Sequence, residues 1–195
     1  MVQVIEKPDW ISWDDIQEVI WIAHEVNRQH GIYMHFPSLS GEEIRKRIEG
    51  HGKMFVAVDG EKVVGTAAIV NKKVDLWCGS GNYAYFCFAS VLPEYHGQGI
   101  YKQLYQFRER ESINNGLTRV MFDTHERNIH TADINLKHGY KKVSYKRYHD
   151  HFNIVFVKWL KGCPYSDIRC RLEFAKQRLK EKAKTLIRLY LLKHK

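Results

Sequence analysis

The stretch 91–105, VLPEYHGQGIYKQLY, decides how this chain is read. Ala89 and Val91 end an aromatic, apolar run, and Pro93 stops it. His96-Gly97-Gln98-Gly99 then turns the chain. Ile100, Leu104 and Phe107 follow at spacings of four and three, the period of a helix with one buried face. The first N–H groups of such a helix have no partner inside it, and its start carries a partial positive charge. Glycines let that backbone approach an anion closely. The stretch therefore predicts a strand end, a glycine turn and a helix whose first amides cradle a phosphate. His96, Gly97, Gln98, Gly99, Ile100, Tyr101 and Lys102 are its candidate lining residues.

Two familiar phosphate signatures do not fit. A Walker loop needs Lys-Ser or Lys-Thr after its second glycine, and Ile100-Tyr101 stands there. A dinucleotide fingerprint needs a third glycine where the chain has Lys102.

A third pattern fits better. PEYHGQGIY resembles the acyl-CoA pyrophosphate loop of the GNAT superfamily of N-acetyltransferases. Val91-Leu92-Pro93-Glu94 matches that family's lead-in, and Gly97 and Gly99 match its loop. His96 stands where Arg or Gln is usual, and Tyr101 where Gly or Ala is usual. Downstream, NIHTADINLKHGY, residues 128–140, resembles the family's later segment, an Asn followed by a short helix and a closing Gly-Phe, with Tyr140 replacing the Phe. The resemblance covers residues 1–160. It implies transfer of an acetyl group from acetyl-CoA, or another acyl-CoA, directly to an amine of a small molecule or peptide. A catalytically weak acyl-CoA-binding or scaffold protein of the same fold is the alternative.

The resemblance also implies site residues. In this family the pantetheine runs between a parted pair of central strands, so backbone groups near Val91 would hold it. Asn128 matches a position that contacts the cofactor. A tyrosine often stands four residues before the closing glycine, and Asn135 occupies that place. Asn can hydrogen-bond a sulfur or carbonyl but cannot give up a proton and remain a stable anion. The strand before the loop also lacks the carboxylate that often acts as base. Tyr85 on that strand and His125 and His130 beside Asn128 are therefore the acid–base candidates, the histidines because an unperturbed pKa of about 6.5 suits a base.

Composition bounds the rest. A chain of 195 residues with 44% hydrophobic residues is one domain, or one domain with an appendage. Cys78, Cys87, Cys163 and Cys170 lack C-x-x-C spacing, and the histidines lack H-E-x-x-H, so no metal site is expected. The N-terminus lacks the apolar core of a signal peptide and no apolar run approaches a membrane span, which predicts a cytoplasmic protein. The net charge is +9, and residues 161–195 carry eleven bases against three acids. The basicity thus belongs to the tail.

Along the chain, residues 2–6 alternate as a strand. Ser12 with Asp15, and Ser40 with Glu43, are capping boxes opening two helices. The first has Trp13, Ile16, Ile20, Ala23 and Val26 on its buried face and ends at Gly31. In the resemblance, the loop between these helices covers the acceptor groove, making Tyr33, His35 and Phe36 candidate substrate contacts. Strands are expected over 53–58, 62–70 and 83–91, with a hairpin at Asp59-Gly60 and a turn at Gly79-Ser80-Gly81-Asn82. After the central helix, closed by Asn115-Gly116, come a strand over 118–124, the short helix to Gly139, and strands over 142–147 and 153–159. The fold class is α/β: a mixed, largely antiparallel central sheet with flanking helices, plus a C-terminal amphipathic helix.

Gly162 and Pro164 set off a basic extension, 161–195, from a domain spanning 1–160. In it Ile168, Leu172, Ala175, Leu179, Ala183, Leu186 and Tyr190 form one narrow helical stripe. The stripe is expected to be buried against protein, either the domain or a second subunit in a homodimer, in preference to nucleic acid or an anionic membrane.

Overall fold

A computed structural model describes residues 2–32, 38–148 and 151–193, without the side chains of Tyr148, Leu189 and residues 191–193. Tyr33, His35 and Phe36 lie outside the described residues. The architecture is mixed α/β, with seven strands and six helices among the described residues. The chain divides into two compact units, Met1–Lys73 with Asn82–Val120, and Val74–Gly81 with Met121–Lys195.

In the first unit the strands run in the order β1 (Gln3–Glu6), β2 (Gly52–Asp59), β3 (Lys62–Leu76, of which 62–73 belong here) and β4 (Gly79–Val91, of which 82–91 belong here), with β1–β2 and β2–β3 antiparallel. Both capping boxes form. Ser12 Oγ accepts from the Asp15 amide at 3.0 Å, and the Asp15 carboxylate accepts from the Ser12 amide at 2.9 Å, opening α1 (Trp13–Ala23). Ser40 and Glu43 do the same for α3 (Gly41–Ile48). Ile16, Val19 and Ile20 of α1 and Ile44 and Ile48 of α3 are buried.

Two expectations are corrected here. The first helix does not run on to Gly31: it stops at Ala23, His24 caps it, and α2 (Glu25–Gln29) follows. At the break His24 is buried, with Asn27 Nδ2 donating to its Nδ1 at 2.9 Å, while Val26 is left exposed. Residues 79–82 belong to β4 rather than to a turn, because Gly79 and Gly81 continue the strand at φ of 131° and 127°, a region that favours glycine. The turn sits one step earlier, at Trp77-Cys78.

A single 3₁₀ turn, Pro93–Tyr95, leads from β4 to α4 (Ile100–Asn114). Ile100, Leu104, Tyr105 and Arg108 form its buried face, and Phe107 meets Phe55 of β2 at 5.2 Å.

In the second unit β5 (Arg119–His125, of which 121–125 belong here), β7 (His151–Trp159) and β6 (Lys141–Tyr148) lie in the order β5-β7-β6, with β6 and β7 antiparallel. Phe122 stacks on Phe156 at 4.7 Å and meets Tyr140 edge-on at 5.0 Å. The short helix α5 (Ile129–Lys137) joins β5 to β6. The tail is one helix, α6 (Asp167–Lys193), packed on β6. Lys141 Nζ meets Asp167 at 2.6 Å, Phe174 meets the Tyr145 ring edge-on at 6.3 Å, and Cys170 is buried.

The stripe does not take part in that packing. Ile168 is 71% exposed, Leu172 66%, Leu179 70% and Leu186 68%. The expected burial of this stripe against its own domain is therefore wrong. The side that docks carries Cys170, Phe174, Gln177, Glu181 and Thr185, about half a turn away.

Candidate functional site

The glycine turn before α4 has the geometry of an anion cradle. Gly97 and Gly99 adopt φ of 81° and 75°, in the left-handed region, and Gly99 is the N-cap of α4. A Cβ built on either would meet nothing within 4 Å, so the space in front of the turn is open. The starts of α1, α3 and α5 are closed by side chains. Ser12 and Ser40 cap α1 and α3, each with two acids in the first turn, and Asn128 Oδ1 accepts from the Thr131 amide at 3.3 Å on α5. The start of α4 has no side-chain cap and no acid in its first turn; Lys102 stands there, exposed. Its partial positive charge is left for something else to satisfy.

The flanks of the turn are fixed. His96 folds back on its strand, its Nε2 donating to the Val91 carbonyl at 3.0 Å. Its contribution to the cradle is thus limited to its backbone. Gln98 Nε2 donates to the Glu94 carbonyl at 3.4 Å. Glu94 pairs with Lys62 at 3.1 Å, and its own backbone amide, then Lys62, hold its carboxyl below the usual range. Tyr101 is half-buried in the first turn.

Upstream, β4 carries an irregularity that the sequence does not announce. Phe88 has φ of 52°, the one positive φ outside glycine among the described residues. Such a conformation persists only where the surroundings hold it. Thr66 of β3, fully buried, donates from Oγ1 to the Phe88 carbonyl at 2.8 Å. The Leu92 amide donates to the Val64 carbonyl at 2.9 Å, so the strand is pinned on both sides of Val91, which is buried. On β4, Tyr85 is half-buried, with Lys72 Nζ 4.4 Å from its ring centre. A cavity of about 900 Å³ lies in the same unit, lined by Trp10, Glu18, Glu61, Leu92 and Glu94 among others.

The second unit holds the remaining candidates. Asn128 and Asn135 are both buried and lie in one hydrogen-bonded run: Asn128 Oδ1 takes the Thr131 amide, and Asn135 Nδ2 donates to the Thr131 carbonyl at 2.8 Å. His125 is buried. Its ring lies 4.4 Å from that of His151, and its Nδ1 accepts from the Arg127 amide at 3.0 Å. His130 is exposed on the first turn of α5.

Sequence reading missed His24 and Thr66. His24 had one signal, its place four residues after Ile20 on the buried face of α1. Thr66 had none beyond being polar within an apolar strand.

The profile of the Acetyltransferase (GNAT) family matches residues 13–140, which include both the glycine turn and the Asn128 segment. The chain belongs to this family. GNAT acetyltransferases carry out acyl transfer from an acyl-CoA to an amine. The sequence matches no curated protein. Among solved structures, an acetyltransferase from Streptococcus agalactiae is similar at a TM-score of 0.63 and 19% identity, over 82% of this chain and 98% of that one. The ribosomal-protein-S18-alanine N-acetyltransferase of Escherichia coli is similar at 0.62 and 13%, over 82% and 94%. A GNAT family acetyltransferase from Elizabethkingia anophelis with acetyl-CoA bound is similar at 0.59 and 11%, over 82% and 98%. At these identities the likeness shows a shared GNAT fold.

Proposed function

We propose that this protein transfers an acetyl group from acetyl-CoA to an amine by direct attack, and that the start of α4 holds the pyrophosphate. One observation carries the reading. Of the starts of α1, α3, α4 and α5, α4 alone lacks a side-chain cap, and it opens on two glycines with clear space before them. Backbone amides aimed at an anion, with Lys102 beside them, fit a pyrophosphate.

Acetyl-CoA supplies a thioester, whose acyl carbon is open to attack and whose sulfur leaves as a thiolate. The chain must supply a donor for that sulfur and an acceptor for the amine proton. Tyr85 is a phenol that can donate. Of the two histidines, His130 is the one suited to accept. His125 already uses Nδ1 as an acceptor, so its neutral ring carries the proton on Nε2 and acts as a donor. Asn135, with Nδ2 committed to Thr131, is read as an orienting group.

The test is calorimetric titration of acetyl-CoA into the protein and into Gly99→Asp. Asp tolerates the left-handed backbone better than most residues, so the turn should survive while its carboxylate occupies the cradle. Affinity should fall at least about tenfold. Normal affinity in the variant would remove the cradle assignment. Turnover with a panel of amines then separates an enzyme from a protein that only binds.

A further inference from the structure

The outer face of α6 has the build of a helix that lies on a charged membrane surface. Ile168, Leu172, Ala175, Leu179, Ala183, Leu186 and Tyr190 are exposed along one side, spanning about 33 Å at 1.5 Å per residue. The docked residues Cys170, Phe174, Gln177 and Glu181 lie on the opposite side, so the stripe points away from β6. Bases flank it on both sides. At about 100° per residue, Arg171 and Lys182 border one edge, and Arg169, Lys176 and Lys180 the other. All five are exposed. The helix's three acids are off the stripe, Asp167 paired with Lys141, Glu181 with Lys184, and Glu173 with Lys176.

Charge decides between the partners such a face fits. A second copy would bring the same basic borders against each other, where the one acid beside them, Glu173, is already paired with Lys176, and like charges across an interface oppose association. A nucleic acid would answer the bases but would leave the leucines in water. An anionic bilayer answers both, taking the apolar stripe below its headgroups while the bases meet lipid phosphates and carboxylates. Among the described residues no helix is long and apolar enough to cross a membrane, so the contact is in the plane of the surface. We infer that α6 docks this protein on membranes rich in anionic lipid, through its leucine stripe and basic borders.

The test uses the full chain with phosphatidylcholine vesicles, with and without phosphatidylserine. It should sediment with the serine-containing vesicles and be released by salt. Leu172→Gln with Leu179→Gln should lower partitioning by about tenfold or more. Lys180→Glu with Lys182→Glu should lower it by about twentyfold or more. Because these side chains are exposed, thermal melts of both variants should match the parent, which separates lost docking from lost fold. Absence of sedimentation, or equal binding to neutral vesicles, overturns the inference. So does a dimer in light scattering that Leu179→Gln dissociates, or duplex DNA binding that outcompetes the vesicles.

Discussion

Acidification should destabilise this protein through one buried histidine. His24 closes α1 and is buried, and burial first, then Arg28, lower its pKa from 6.5 to about 4, partly offset by the Ala89 backbone. Arg28 cannot swing clear to relieve a charged ring. Its guanidinium is stacked 3.7 Å from the Trp21 ring centre, donates to the Trp21 carbonyl at 2.8 Å and pairs with Glu25. In the unfolded chain the imidazole takes a proton as pH falls through about 6.5, whereas the folded protein holds it neutral down to about 4. Between those values the unfolded state binds more protons. The stability that a neutral His24 preserves is therefore complete above about 6.5, falls as pH drops, and changes no further below about 4. A gap of about 2.5 units corresponds to about 3 kcal/mol, a large share of the roughly 5–15 kcal/mol that holds a domain folded.

Urea unfolding measured over this pH range, for the parent and for His24→Gln, isolates the effect. Carboxylates common to both proteins cancel in the comparison. The parent should lose about 3 kcal/mol more than the variant across the window. Parallel pH curves for the two proteins would refute the reasoning, whatever their absolute stabilities.

Two further outcomes are expected. Thr66→Val keeps the shape of a fully buried side chain but removes the donor to the Phe88 carbonyl; it should cost about 1–3 kcal/mol and lower the melting temperature by about 2–4 °C per kcal/mol, while Thr66→Ser should retain the bond and most of the stability. Asn135→Ala should reduce turnover modestly if the side chain only orients; complete loss of turnover with unchanged acetyl-CoA affinity would contradict that role.

What could be read from the sequence was mostly what is local. Ser12 with Asp15 and Ser40 with Glu43 fold as written, because a capping box is settled within four residues. The glycine turn at 97–99 was legible for the same reason, and the spacing from Asn128 to Gly139 gave the second segment. Where distant parts of the chain decide, the reading failed. Apolar spacing continues from Ile20 through Ala23 to Val26, yet the helix breaks at His24, which is buried and pairs with Asn27. The strain at Phe88 depends on Thr66, twenty-two residues away, and nothing near position 88 signals it. Gly79 and Gly81 looked like turn residues. The strand uses their conformational range instead.

The tail shows the same division on one helix. Its period is local and was legible; the side that docks was not. A stripe of leucines is the natural candidate for burial, since each would contribute about 1.5–3 kcal/mol. The sheet, however, offers Tyr145, which stacks on Phe152 at 4.7 Å and receives Phe174, and offers Lys141, which receives Asp167. Arg178 also lies over the Tyr145 ring at 5.7 Å. These contacts ask for an aromatic residue, a carboxylate at the helix start and a long polar side chain, all turned away from the leucines. The sequence supplies them at 167, 174 and 178. One set of residues thus seats the helix and a different set remains on its outer side. Had the leucines faced β6, the bases at 169, 171, 180 and 182 would border a closed interface, with their charge left over. Facing outward, leucines and bases form one surface of a single chemical kind, apolar along the middle and positive along both edges.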